Sequence, residues 1–406
     1  VNSLQLLVIG GGFAGLWSAL GAARKLDEQG LDSSSVRITL INRDPYHTIR
    51  VRLYESDLKE VRLYLPDILA KAEIDLQVGE VTSIDTSKQT VALRTADSSL
   101  DIYYDRLILA SGSKLFKPST IKGIENAFSV DTYDEAMRLN DHLNALPAQA
   151  RSAARDTVLV IGAGLTGLEV SCELPKRLRE IFKSDVSPIR VVIADHSEQI
   201  GSDMGSEARV LIEEALAQLG IQTLVGFKVS QLDLGGAILS NGDRIESNTI
   251  IWTAGMRASA LSAMVASDLD RFGRVMVDEF LRVQGIQNVF AAGDVANLLV
   301  DGIHHSVMSC QHGRPMGRFA GHNAIADLLD QPLLPLKIPD YVTVLDLGPW
   351  GAIYTKGWDR KVVRSGMQAK LIKQEINQRR IYPPKGSRRA LLDAASPVVQ
   401  SIPKYD

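Results

Sequence analysis

Leu4-Gln-Leu-Leu-Val-Ile-Gly10-Gly11-Gly12-Phe13-Ala14-Gly15 is the stretch on which the fold turns. A largely apolar run that ends on glycines and passes into helical spacing reads as a buried parallel strand feeding a helix. In that setting each glycine of the G-x-G-x-x-G pattern has its own task. Gly10 permits the tight turn, Gly12 lets backbone approach a pyrophosphate, and Gly15 lets the helix pack closely on the strand. Phe13 and Ala14 lie in the first turn of that helix, where free N–H groups and the helix dipole favour an anion. A single glycine turn of this kind is common.

The same grammar returns about 150 residues later in Thr157-Val-Leu-Val-Ile-Gly162-Ala-Gly164-Leu-Thr166-Gly167. Two strand-to-helix glycine turns predict two Rossmann-like dinucleotide-binding units. An acidic residue at the end of the second strand of such a unit holds the ribose hydroxyls. Asp195 stands there in the second unit, after Val191-Val-Ile-Ala. His196 and Ser197 follow it, and with no adjacent arginine to pair with a 2'-phosphate, NADH is favoured over NADPH. In the first unit the equivalent place carries an amide, Asn42, followed by Arg43.

Outward from these turns, a helix runs to about Gln29, a strand covers Val36–Ile41, and an arm carries Pro45-Tyr-His47 and Leu53-Tyr-Glu55. Strand-like alternation follows near Asp75–Ile84 and Thr90–Leu93, and Pro118 with the Ala-rich stretch Asn144–Ala154 reads as linker or helix end. The second unit adds strands Ile189–Ala194 and Ile221–Val225, a helix over Gly205–Leu219, a hairpin at Asn241-Gly242 and a strand Thr249–Trp252. Asn288–Asp294 reads as a short buried strand returning to the first unit. From about Leu334 a third region shows three strand candidates and a helix from about Met367 to Gln378. The expected fold is α/β, with two dinucleotide-binding domains and a smaller C-terminal α+β region. The expected domains are 1–120 with 280–333 for FAD, 121–279 for NADH, and 334–406 for contacts with acceptor, second copy or membrane.

Composition narrows the function. With 406 residues, 45% hydrophobic and 23% charged, the chain has the make-up of a globular protein of two or three domains. A net charge of -3 provides no overall positive field for nucleic acid. Charge is uneven, however. Residues 356–406 hold twelve Lys/Arg against four acids, a net +8, which leaves -11 on the rest. Two cysteines, Cys172 and Cys310, are too few for a secreted disulfide scaffold, and no apolar run approaches the ~20 residues of a spanning helix. The expected location is cytoplasmic, with peripheral attachment to the inner face of the membrane left open.

With these motifs in order, the sequence resembles the two-dinucleotide flavoprotein superfamily of the pyridine nucleotide-disulfide oxidoreductases. Ala110-Ser111-Gly112 stands at its Ala-Thr-Gly turn, and Val289-Phe-Ala-Ala-Gly293-Asp294 at the segment whose Asp meets the ribityl chain of FAD. Within it the chain is most similar to the type II NADH:quinone oxidoreductases. The run Gly162 to Glu173, the turn Ile250-Ile-Trp252-Thr-Ala254-Gly255, and the arm with its Tyr-His and Leu-Tyr pairs carry that likeness. The resemblance implies FAD and NADH as cofactors, a quinone acceptor, and Arg52 and Val81 among the cofactor contacts. It also implies that Glu169, between nicotinamide and flavin, and Gln311, in the two-glutamine segment beside the quinone, are catalytic. That segment departs from the pattern here, because Val307 replaces the first glutamine.

Cysteine placement separates the chain from its nearest rivals. A disulfide reductase needs a redox pair near the first glycine motif, and no cysteine precedes Cys172. Cys172 reads as a small buried hydrophobe and Cys310 as inert packing. Glu169 also suits a solvated place near a helix N-terminus. His304, His305 and His312 read as loop histidines, with no metal site expected. Lys370, Lys373, Arg379 and Arg380, flanking Leu371, Ile372 and Ile376, are compatible with a helix on an anionic membrane surface or with an ordinary packed helix. Two other functions fit the motifs: a soluble NADH-flavin reductase or oxidase of specialised metabolism, and an apoptosis-inducing-factor-like flavoprotein switch responding to NADH. A homodimer fits as well.

Overall fold

In a computed structural model that describes residues 3–183 and 189–399, two parallel sheets form the frame. The first runs in the order Val289–Ala291, Arg106–Leu109, Leu4–Ile9, Val36–Asn42, Asp75–Val78. The second runs Ile221–Leu224, Arg190–Ala194, Thr157–Ile161, Thr249–Trp252. Each glycine-bounded strand lies inside its sheet with neighbours on both sides, which is why Leu6, Leu7 and Val8 and likewise Val158, Leu159 and Val160 are fully buried. Their carboxyl ends are where the strand order reverses and a crevice opens.

From these ends rise two helices, Phe13–Glu28 and Leu165–Phe182. The first packs along a third, Cys310–Leu328, whose Gly313, Gly317 and Gly321 recur every fourth residue. A Cβ at Gly317 would lie 2.3 Å from the Ala14 carbonyl oxygen, and one at Gly321 2.0 Å from that of Ser18. The two backbones are therefore in direct contact, which brings the start of the third helix beside the first glycine turn. Strand Ser113–Leu115 pairs antiparallel with Met256–Ala258 and ties the two units together.

The C-terminal region is an antiparallel sheet of Val342–Asp346, Ala352–Lys356 and Lys361–Ser365, followed by helix Gly366–Glu375 and a π-turn Ile376–Arg380. The helix ends three residues before the expected Gln378. Lys404 and Asp406 of the basic tail lie outside the described residues. The Ala-rich stretch is preceded by a helix, Tyr133–Ala145, capped by Thr132, that its composition alone does not reveal.

Candidate active site

The first glycine turn has the shape a dinucleotide needs. Gly10 sits at φ +109°, and a Cβ there would come 2.4 Å from the Ala110 carbonyl oxygen, whereas a Cβ on Gly15 would come 1.7 Å from that of Gly10. Around Gly12 there is no protein atom within 4 Å of the Cβ position, and no side chain caps the helix it starts. The first-turn N–H groups of Phe13, Ala14 and Gly15 lack intrahelical acceptors by construction and face this opening. The second turn repeats the pattern: Gly162 at φ +105°, Gly167 pressed to 1.8 Å of the Gly162 oxygen, Gly164 open. Both cradles fit a pyrophosphate. Nearby, the Ser111 hydroxyl is buried without a hydrogen-bond partner, as expected of a group awaiting one.

Asn42 and Asp195 turn out to be equivalent braces. Asn42 Oδ1 accepts from Gly11 N at 2.9 Å and Asp195 Oδ2 from Ala163 N at 2.6 Å. Asn42 Nδ2 donates to the Asp44 and Tyr46 carbonyls at 2.8 and 3.1 Å, so its two donors are engaged by its own loop. Asp195 accepts in addition from Ser197 N at 2.8 Å, yet two carboxylate oxygens keep lone pairs free for ribose hydroxyls. Arg43 and Thr166 are exposed, and Val81 is half-buried on strand Glu80–Asp85. Behind the first turn stands His47, absent from the expected site. It is wholly buried, lies edge-on to Phe13 with ring centroids 5.1 Å apart, and donates from Nδ1 to the Gly11 carbonyl at 2.8 Å.

Arg52 is held by Glu55 at 2.6 Å and donates to the Tyr382 hydroxyl, also at 2.6 Å. The arginine of this arm that reaches Asp294 is Arg50, 3.8 Å away and also paired with Asp131. Asp294 accepts from the Ser113 hydroxyl at 2.6 Å, and burial holds its carboxyl above the usual range. It follows Gly293 (φ +77°), which packs against Ala14. Gly255 (φ +80°) follows Ala254, whose carbonyl accepts from the Trp252 indole at 2.9 Å.

Glu169 is buried, which removes the solvated reading. Its Oε1 lies 2.6 Å from Lys373 Nζ and accepts from Asp346 N at 3.2 Å. A second ion pair adjoins it: Lys370 Nζ lies 2.5 Å from Asp346 Oδ1, and the Tyr54 hydroxyl donates to Asp346 Oδ2 at 3.0 Å. Burial raises the Glu169 carboxyl and the Lys373 ammonium pulls it back, leaving it above the ordinary carboxylate range. Lys370 and Lys373, read from sequence as facing either a membrane surface or solvent, therefore turn inward. Both answer carboxylates that would otherwise be buried unpaired. Leu371 and Met367 occupy the exposed face of the same helix.

Gln311 lies in the first turn of the third helix, and its amide meets the first C-terminal strand, donating to Val342 O at 2.8 Å and accepting from Val342 N at 3.3 Å. Cys310 is a free, half-buried thiol and Cys172 a free, wholly buried one; burial pushes both thiols up, consistent with inert roles. His312 is not in a loop. It lies buried in the first turn of the helix, its Nδ1 accepting from Val307 N at 2.9 Å. Among the described residues no cluster has the make-up of a metal site.

Residues 4–317 match the family described as pyridine nucleotide-disulphide oxidoreductase. The chain belongs to that family. Over 98% of its length and all of the relative's it is 52% identical to an NADH dehydrogenase-like protein of Mycobacterium tuberculosis, MT1860. Over 72% of its length and 67% of the relative's it is 29% identical to the type II NADH:quinone oxidoreductase Ndh of the same species. The fold is that of NDH2 from Plasmodium falciparum, with a TM-score of 0.79 at 14% identity, covering 97% of this chain and 98% of that one. The family member described here is an NADH-dependent flavoprotein oxidoreductase with FAD and NADH as cofactors, of the type II NADH dehydrogenase-like kind.

Burial also sets its acid behaviour. His47 and His312 are both pushed down to about 4 by desolvation, as is His322. A histidine whose pKa is depressed on folding adds stability above its unfolded value near 6.5 and loses it as pH falls through the folded value. Thermal stability should therefore fall steeply between pH 6.5 and 4. His47→Gln should reduce that slope by about one proton, read from melting curves across the window. An unchanged slope would mean that His47 is charged in the fold.

Proposed function

We propose that this protein oxidises NADH and reduces a quinone, with FAD held on the first glycine turn and NADH on the second. In this reading residues 1–120 and 280–333 carry FAD, 121–279 carry NADH, and 334–406 complete the acceptor side. The observation that carries it is the buried Glu169–Lys373 pair. It joins the second glycine helix to the C-terminal region, where Gln311 also makes its contact. Likeness to the type II NADH:quinone oxidoreductase Ndh supports the same acceptor. A disulfide relay needs a redox pair on the first glycine helix, and no cysteine precedes Cys172 in the sequence.

FAD, when bound, would supply the two-electron chemistry between NADH and the acceptor. The chain's own residues set the geometry and the proton supply. The first-turn N–H groups hold the pyrophosphates, and Asp195 orients the nicotinamide nucleotide through its ribose. Asp294, braced by Ser113 and Arg50, fixes the flavin end. Lys373 Nζ offers a proton toward the acceptor oxygen, and Glu169 Oε1 keeps that ammonium charged in a dry site. Lys370 does the same service for Asp346, which in turn positions Glu169. Among the described residues no helix is long and apolar enough to cross a membrane, so contact with a lipid-borne quinone would be peripheral, through the face bearing Met367 and Leu371.

The test is an anaerobic stopped-flow titration of flavin-loaded protein with NADH, followed by mixing with a short-chain ubiquinone, menadione or oxygen. Fast bleaching by NADH and fast recovery of the yellow colour on quinone are expected. Recovery only on oxygen, or a persistently reduced flavin, would remove quinone as the acceptor.

A further inference from the structure

One and two turns beyond Cys310 on the third helix stand Arg314 and Arg318, two arginines that the proposed chemistry does not use. Arg314 is 8% exposed and Arg318 1%. Their guanidinium carbons lie 5.2 and 4.9 Å from the centre of the Trp17 ring, so one indole carries both cations. Neither has a carboxylate partner among the described residues. Both Nε–H groups are buried without an acceptor, and Arg318 Nη1 donates to the Val398 carbonyl at 3.2 Å. Stacking on an aromatic face satisfies the plane of a guanidinium and leaves its in-plane donors unused. A buried unpaired cation is expensive, and two side by side more so.

The neighbourhood is positive. Arg380 repels Arg314, and Lys373 acts on the adjacent Cys310 thiol, which also senses Asp294. Arg314 lies one helical turn beyond Cys310 and three residues beyond Gln311, whose amide meets the C-terminal strand at Val342. FAD phosphates are the competing anion, since this helix packs directly on the first glycine helix. They belong at the N–H groups of Phe13 and its neighbours, and Trp17 is four residues farther along that helix, about 6 Å along its axis.

We propose that Arg314 and Arg318, stacked on Trp17, form an anion-binding subsite for the electron acceptor, so that the quinone reduced here carries a negative charge on or beside its ring. An ionised ring hydroxyl or a ring carboxylate has that chemistry, and the fork of a guanidinium matches either. The inference rests on the quinone reading above. The overall change is NADH + H⁺ + quinone giving NAD⁺ + hydroquinone, the acceptor's own charge being carried through unaltered.

The experiment uses the flavin-loaded full chain without NADH. Binding of 2-hydroxy-1,4-naphthoquinone, ionised at neutral pH, is compared by equilibrium dialysis with that of its uncharged methyl ether. The anion should bind at least about tenfold more tightly at low salt. Arg314→Gln should remove that difference, with the flavin retained, and Arg314→Lys should keep part of it. Equal binding of the two compounds to the wild-type chain overturns the proposal, whether or not any variant folds. So does an Arg314→Gln protein that loses its flavin, since the guanidinium would then serve the cofactor, or one that weakens both compounds alike. The compounds are then mixed with NADH-reduced protein. Tight anion binding without reoxidation would keep the subsite and remove the quinone reading; reoxidation by the methyl ether alone would do the reverse.

Discussion

Replacing Lys373 by methionine is expected to lower NADH-driven quinone reduction by about a hundredfold, the usual scale for a lost general acid, and to destabilise the chain in a pH-dependent way. The reason is the carboxylate left behind. Glu169 is buried, and the pull of the Lys373 ammonium, 2.6 Å away, offsets much of the cost of desolvating it. Without that pull its carboxyl rises further. A carboxyl raised on folding contributes stability below its unfolded pKa and loses it as pH climbs through the folded value. The variant should therefore be near wild-type stability at pH 5 and lose about 3–5 kcal/mol by pH 8, as read from denaturant melts at both values. Adding Glu169→Gln should return most of that stability but not the turnover, which separates the structural cost from the proton supply. Glu169→Gln alone, leaving Lys373 charged and unpaired, should slow the proton step. If Lys373→Met is equally stable at both pH values, the pair is not ionised in the fold.

The second large effect concerns the glycine turns, where three substitutions of the same size should fail in three ways. Gly12→Val meets no protein atom, so the fold should stand by circular dichroism while the chain is isolated with less than about a tenth of the flavin. Gly15→Val would drive a Cβ to 1.7 Å of the Gly10 oxygen, so the strand and helix cannot pack and soluble protein should be lost. Gly164→Val should keep its flavin while the KM for NADH rises about tenfold or more. Loss of flavin from Gly164→Val with retention in Gly12→Val would reverse the proposed assignment of the two cofactors.

Much of this was open to reading in the sequence because it is local. Backbone oxygens within 2.4 Å of a would-be Cβ admit only glycine at Gly10, Gly15 and Gly167, and with the open Gly12 and Gly164 between them these turns announce the two dinucleotide units directly. The end-of-strand position likewise picks out Asn42 and Asp195. The missing cysteines removed a disulfide relay without any structure. A further local signal, glycine at every fourth position from 313 to 321, could have placed the third helix against the first.

What the tertiary structure decided depends on partners far apart in the chain. Glu169 and Lys373 are separated by 204 residues, and no periodicity in either segment records their contact. Lysines on a short helix read as solvated until the carboxylates of Glu169 and Asp346 are placed beneath them. Arg50 and Arg52 are indistinguishable in sequence; the turn of a 3-10 segment sends one toward Asp294 and the other to Glu55 and Tyr382. His47 and Arg314 owe their roles to burial, which is a property of everything packed around a side chain. Sequence by itself determined where the backbone must bend into two dinucleotide-type turns, because those demands are steric and fall within a few residues. The charge pairs, and the arginines that have none among the described residues, were decided only when distant segments closed the site and excluded water from it.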